Sequence, residues 1–125
     1  MKTFTIADIR NWKPCYDPAR YLPQDWSGTA LEILRHAEIP PQHKLWVVCR
    51  EDIIDAKTLR LFAVWCCRQV QHLITDPRSV AAVDCAEKFA NGDATAEELA
   101  AAWAAARDAA WDAQVAQLIK MLEEK

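Results

Sequence analysis

Residues Leu59 to Leu122 read LRLFAVWCCRQVQHLITDPRSVAAVDCAEKFANGDATAEELAAAWAAARDAAWDAQVAQLIKML. Three helical patterns follow one another in this stretch, separated by recognisable punctuation. Asp76-Pro77 supplies an N-cap and a proline at the first helical position, a strong start signal. Asn91-Gly92 closes that helix with a residue suited to the left-handed conformation. Thr95, followed three residues later by Glu98, is a capping box that opens the next. No glycine or proline interrupts the patterns after their first turn. The spacing therefore predicts an all-α, helical-bundle fold, and its last helix is long, running from Thr95 to about Glu123.

Within the first pattern, Lys57 to Ile74 is the expected central helix. Leu59, Phe62, Ala63, Cys66, Val70 and Leu73 form one apolar stripe, and Leu61, Trp65 and His72 a second. A helix apolar on two sides is normally packed on two sides, so Phe62 is expected in the core. Val80, Val83, Ala86, Phe89 and Ala90 give the second helix an inner face. The last helix is mostly alanine from Ala100 to Ala113, then carries Val115, Leu118, Ile119, Met121 and Leu122. Alanine favours the helix intrinsically and lets a neighbouring helix approach closely.

Upstream, Thr5 and Asp8 suggest a short helix from Ile6 to Trp12. The stretch KPCYDPARYLPQDW has too many prolines for regular structure, yet its aromatics imply packing. Residues 1–26 thus read as an ordered aromatic and proline-rich arm, and residues 27–125 as a helical body, together one domain. Ser27 is the expected cap of a helix from about Thr29 to Ala37, on which Ala30, Ile33, Leu34 and Ala37 share a face. HKLWVVCRE reads as a short helix, because no partner strand is visible and a lone strand cannot satisfy its backbone. Five to six helices are expected in all.

Composition narrows the function classes. With 125 residues, one domain is expected. Only Gly28 and Gly92 occur, so a glycine-rich phosphate loop is excluded. The net charge is −3 and no basic block exists, which argues against a nucleic-acid partner. No run approaches the ~20 apolar residues that span a bilayer, and MKTFTIADIRNW lacks the apolar core of a secretory signal. Five cysteines, an odd number that includes adjacent Cys66 and Cys67, fit reduced thiols in a cytoplasmic protein. Neither membrane association nor a cofactor is expected.

The chemistry-bearing residues do not converge. Cysteines and histidines lack the C-x2-C or H-x3-H spacing of a zinc site. Cys67 beside Arg68, with His72 five residues on, offers a thinkable thiol centre with Cys66, but no oxyanion donor or orienting group can be named. No catalytic residue and no metal ligand is therefore assigned. Six tryptophans are many for a chain this size, and tryptophan is enriched at interface hot spots. On the last helix Trp111, Val115, Leu118 and Leu122 fall at i, i+4, i+7 and i+11, while Leu99, Trp103, Ala106 and Ala110 form a neighbouring stripe. One stripe suffices for docking on the helix's own domain. The expected partner-binding residues are accordingly Trp103, Trp111, Val115, Leu118 and Leu122, with Trp12 and Trp26 of the arm, and a homo-oligomer through this helix is one possible use of them.

Three motifs in order also carry a family resemblance over about half the chain: LRLFA-x-x-C (Leu59–Ala63 with Cys66), D-x-R-S-x-x-A-x-x-x-A-E-x-F-A-x-G (Asp76–Gly92), and A-T-x-E-E-L-x-A (Ala94–Ala101). In these the chain resembles the immunity-protein family of bacterial polymorphic toxin systems and related companion domains in planctomycetes. The resemblance implies a non-catalytic inhibitor in the bacterial cytoplasm that binds a protein partner, a toxin or a host defence component. The stretch from Thr3 to Arg35 departs from that pattern and looks like a phage version, which implies an anti-defence protein, for example an inhibitor of a CRISPR-type system. A small thiol- or metal-dependent enzyme centred on Cys66, Cys67 and His72 is the alternative from another class.

Overall fold

A computed structural model describes residues 1–124 of the chain. Among them are six α-helices: α1 (Ile6–Asn11), α2 (Ala30–Arg35), α3 (Pro41–Val48), α4 (Ala56–Gln69), α5 (Pro77–Ala90) and α6 (Ala96–Glu123). The chain divides into two compact units, Met1–Leu59 and Arg60–Lys125, with the division inside α4. Each unit has its own hydrophobic cluster, where the sequence suggested one core.

In the first unit, Thr5 caps α1 and its backbone N–H donates to the Asp8 carboxylate at 2.8 Å, the capping box expected from the sequence. A two-stranded antiparallel ribbon, β1 (Thr3–Thr5) and β2 (Ser27–Thr29), was not expected. Three-residue strands are too short to show alternation. Each runs straight into a helix cap, Thr5 for α1 and Thr29 for α2. The cap of α2 is therefore Thr29, accepting from the Glu32 N–H, and Ser27 belongs to the ribbon. Phe4 pairs with Gly28, where a Cβ would run into the Trp26 ring at 2.6 Å and the Glu32 carboxylate. That close approach is what glycine permits.

Residues 1–26 are no appendage to this unit. Phe4, Ile6, Ile9 and Leu22 are buried together with Ala30, Ile33, Ile39, Val47, Val48 and Ile53, and Trp12 and Trp26 pack half-buried against them. HKLWVV is helical, as α3. Its C-terminal carbonyls are met by a side chain: Arg50 Nε donates to the Val47 carbonyl (2.8 Å) and Arg50 Nη2 to that of Trp46 (2.9 Å). The same guanidinium lies 4.1 Å from the Trp12 ring centre and 4.8 Å from that of Trp46. At the start of α4, the Asp55 carboxylate accepts from the Thr58 N–H and hydroxyl, which lowers the Asp55 pKa.

In the second unit the expected central helix is corrected. α4 ends at Gln69, because Val70 leaves helical dihedrals (φ −115°, ψ 10°) and Gln71–Leu73 form a 3-10 turn. Val70 and Leu73 thus leave the stripe, and both are exposed. Phe62 is not in the core. It is 39% exposed and stacks on the exposed Trp65, whereas Val64, at 7%, is the buried residue of α4. The face that docks is Arg60, Val64 and Arg68, at i, i+4 and i+8. Arg60 lies over the Phe89 ring (4.7 Å), Val64 packs with Ala86 and Leu99, and Arg68 bridges Asp84 (2.8 Å) and Glu87 (2.7 Å). Long arginine stems cover apolar surface while their heads find carboxylates. Counting only hydrophobic letters therefore picked the wrong side of the helix.

Candidate functional site

The geometry of α5 and α6 sets the candidate site. Asp76 caps α5 and accepts from the Arg78 N–H at 2.9 Å. Gly92, at φ +82°, lets the chain turn after the helix end. The Thr95–Glu98 capping box then starts α6. At 1.5 Å per residue, α5 is about 21 Å long and α6 about 42 Å. They run antiparallel, and Arg78, in the first turn of α5, reaches Asp112 of α6 at 3.1 Å. From Ala113 onward α6 has outrun its neighbour. The paired carboxylates of Asp76 and Asp112 hold the Arg78 guanidinium above its ordinary pKa, and Arg78 in turn lowers that of Asp76.

Leu99 and Ala109 are the buried residues of α6, with Ala102, Ala105 and Ala106 half-buried between them. Small side chains here let the two helix axes come close. Trp111, Val115, Leu118 and Leu122 lie roughly 180–240° around the helix from Ala109. Each is 55–60% exposed. Ile119 (51%) and Met121 (55%) flank the row. Both stand at the border of the stripe in the helical spacing, which is the signal the sequence offers for them. Six large apolar side chains on about three turns of unaccompanied helix form the kind of contiguous patch that marks an interaction surface.

The other expected residues are placed differently. Trp103 is 54% exposed but lies on another face, lining a shallow cavity of about 170 Å³ with Arg60, Ala63, Val64, Cys67 and Ala82. Trp12 and Trp26 are half-buried in the first unit, their ring centres 5.9 and 5.2 Å from that of Phe4. Both pack against the buried cluster of that unit. The structure brings together Trp111, Val115, Leu118 and Leu122, and does not place Trp103 in that row. Trp12 and Trp26 belong to the other unit.

The thiol centre does not assemble into a recognisable site. Cys66 is exposed, Cys67 is half-buried in the cavity wall and His72 is exposed in the 3-10 turn. Among the described residues no three histidine, cysteine, aspartate or glutamate side chains converge as metal ligands, and no helix is long and apolar enough to cross a membrane. A groove of about 650 Å³ in the first unit, walled by Leu31, Leu34, Ile53 and Ile54 with Glu51 and Asp55 at its edge, was not anticipated. Leu31 stands outside the Ala30–Ile33–Leu34–Ala37 face that the spacing picks out, whereas Leu34, expected on that inner face, is exposed and lines the groove. Comparison of the chain with protein-family models, with curated proteins and with solved structures finds no match.

Proposed function

We propose that this chain is a non-catalytic, protein-binding inhibitor of the immunity type. It acts in the bacterial cytoplasm, and it neutralises a toxin or a host defence component by covering part of that partner's surface. The observation that carries the reading is the row Trp111–Val115–Leu118–Leu122, more than half exposed, on the side of α6 turned away from Ala109 and, after Asp112, past the start of α5. Binding hot spots are enriched in tryptophan, and this row sets an exposed tryptophan among apolar side chains. The motif resemblance over Leu59–Ala101 points the same way.

The test is a neutralisation titration. The gene product encoded next to this chain is purified, its toxic activity is measured, and the full-length chain is added in steps. Binding predicts an end-point at a fixed stoichiometric ratio, with Leu118→Glu shifting it strongly while the circular dichroism stays helical. Neutralisation at far below one equivalent would indicate turnover and refute the non-catalytic reading. An unchanged end-point for Leu118→Glu would refute the role of the α6 row.

A further inference from the structure

We infer that the partner seated on the α6 row is a protein surface with an apolar groove and lysine or arginine along its rim. The inference rests on reading the row as a docking surface, and it adds the chemistry of the occupant.

The row itself sets the apolar part. Trp111, Val115, Leu118 and Leu122 fall within roughly 30° of one line along α6, and each is 55–60% exposed. Large side chains at this spacing are what a helix lays into a groove on another protein. Between Asp112 and Glu123 the one charged residue is Lys120, roughly 170° away from that line, on the opposite side of the helix. A partner covering the row meets no cation along that length.

Charge selects the rim. At the N-terminal end Arg107 and Asp108 stand about 50° to either side of the line, 4.0 Å apart, and offset one another. Asp112, about 90° round, shares the Arg78 guanidinium with Asp76, two carboxylates to one cation. At the other end Glu123 and Glu124 stand either side of Lys120, again two to one. Lys125 lies outside the described residues. Both ends of the row are therefore net acidic.

The carboxylates are also on one side. Asp108, Asp112 and Glu123 follow the same border of the row, about 50–110° from its line, while the opposite border carries Arg107 and then Gln114 and Gln117. A basic rim along the first border is attracted, and rim charges of this kind act on the rate of encounter and on its salt dependence. The other occupants fit less well. A second copy sets acidic ends against acidic ends, and anionic lipid or nucleic-acid phosphate meets like charge.

Two synthetic helical peptides of about 18 residues test this. Both carry the same leucine row, rimmed by lysine in one and by glutamate in the other. Each is dye-labelled and titrated with the full-length chain by fluorescence anisotropy. The lysine peptide should bind with Kd on the order of 10 μM, the glutamate peptide at least about tenfold more weakly, and salt raised from about 50 to 500 mM should narrow the difference. Asp108→Lys/Glu123→Lys, both exposed positions, should weaken the lysine peptide about tenfold and strengthen the glutamate peptide. Glu38→Lys/Asp52→Lys, the same charge change at exposed positions of the first unit, should leave both affinities within about twofold. Leu118→Gln, which trims the row without altering charge, should weaken the lysine peptide at least about fivefold. Equal affinity for the two peptides, or equal effects of the two charge-reversed variants, overturns the basic rim and leaves the row as a docking surface. A lysine peptide that does not bind below about 1 mM, or one indifferent to Leu118→Gln, overturns the inference together with the docking reading.

Discussion

Ile9 sits in a stretch that the sequence presents as an arm, yet it is fully enclosed, with 0% of its surface exposed. Ile9→Ala removes three carbon groups from that position. At ~0.8 kcal/mol per buried carbon group the lost transfer energy is about 2.4 kcal/mol. The surrounding Phe4, Ile33 and Val47, held by the ribbon and by α2 and α3, can relax only partly, so a cavity contribution of about 1 kcal/mol is added. A loss of ~3–4 kcal/mol is then expected, a large share of the ~5–15 kcal/mol that holds a typical domain. Urea unfolding at 25 °C, followed by the fluorescence of Trp12 and Trp26, measures it. Ile9→Val should cost about 1 kcal/mol and supplies a graded point if the alanine variant fails to fold. A loss below about 1 kcal/mol for Ile9→Ala, with an unchanged m-value, would refute the placement of residues 1–26 in the core.

Three further outcomes follow from named contacts. Phe62→Asp should leave the chain folded, with only the stacking on Trp65 lost, whereas Val64→Asp should cost at least ~3 kcal/mol by burying a carboxylate between Ala86 and Leu99; circular dichroism melts compare them, and equal melts would contradict the observed facing of α4. Arg50→Lys should destabilise the first unit by about 1–2 kcal/mol, because an ammonium cannot serve two carbonyls while lying flat between Trp12 and Trp46; fluorescence-detected unfolding checks this, and full rescue by lysine would contradict it. Asp55 and Asp76 both have lowered pKa values, from the Thr58 hydrogen bonds and from Arg78 respectively. Their contribution to stability is present above the ordinary carboxylate pKa and is lost as pH falls through the lowered values; melting temperature should therefore drop below about pH 4, less steeply in Asp76→Asn, and an identical acid limb in that variant would refute the assignment.

The parts of the fold legible in the sequence are those fixed by local chemistry. Thr5–Asp8, Asp76-Pro77, Gly92 and Thr95–Glu98 each satisfy backbone groups within a few residues of themselves, so their meaning does not depend on the rest of the chain. What the sequence concealed depends on long-range partners. The ribbon needs Thr3–Thr5 to find Ser27–Thr29 some 24 residues away, and three-residue strands carry no periodic signal. The facing of α4 is decided by Asp84, Glu87 and Phe89 of α5 pairing with arginines, which a hydrophobic count treats as solvated. The candidate row was legible for the same reason as the caps: Trp111, Val115, Leu118 and Leu122 share a face by helical spacing alone. Their exposure was legible too, since one stripe suffices to dock the helix on its own domain; what the sequence concealed is the level at which α5 begins beside α6, opposite Asp112.

The change of composition along α6 falls where its neighbour ends, and this relates sequence to use. Beside α5, alanine at 102, 105, 106 and 109 lets the helices close together. Past Asp112 no α5 residue remains to be packed against. A helix that merely had to end there would gain nothing from Val115, Leu118, Ile119, Met121 and Leu122, and would pay in solubility for exposing them. The same twelve residues, Ala113 to Glu124, are nevertheless good helix formers almost throughout: alanine, glutamine, leucine, lysine, methionine and glutamate. Isolated, a segment this short would be marginal. Continuing from a turn already braced by the Arg78–Asp112 pair, it escapes the cost of nucleation, since each added residue only extends an existing helix. The overhang is thus held as a preformed rod with its apolar row already in register. A partner that docks on it need not order it first, and this is where a small interface recovers affinity.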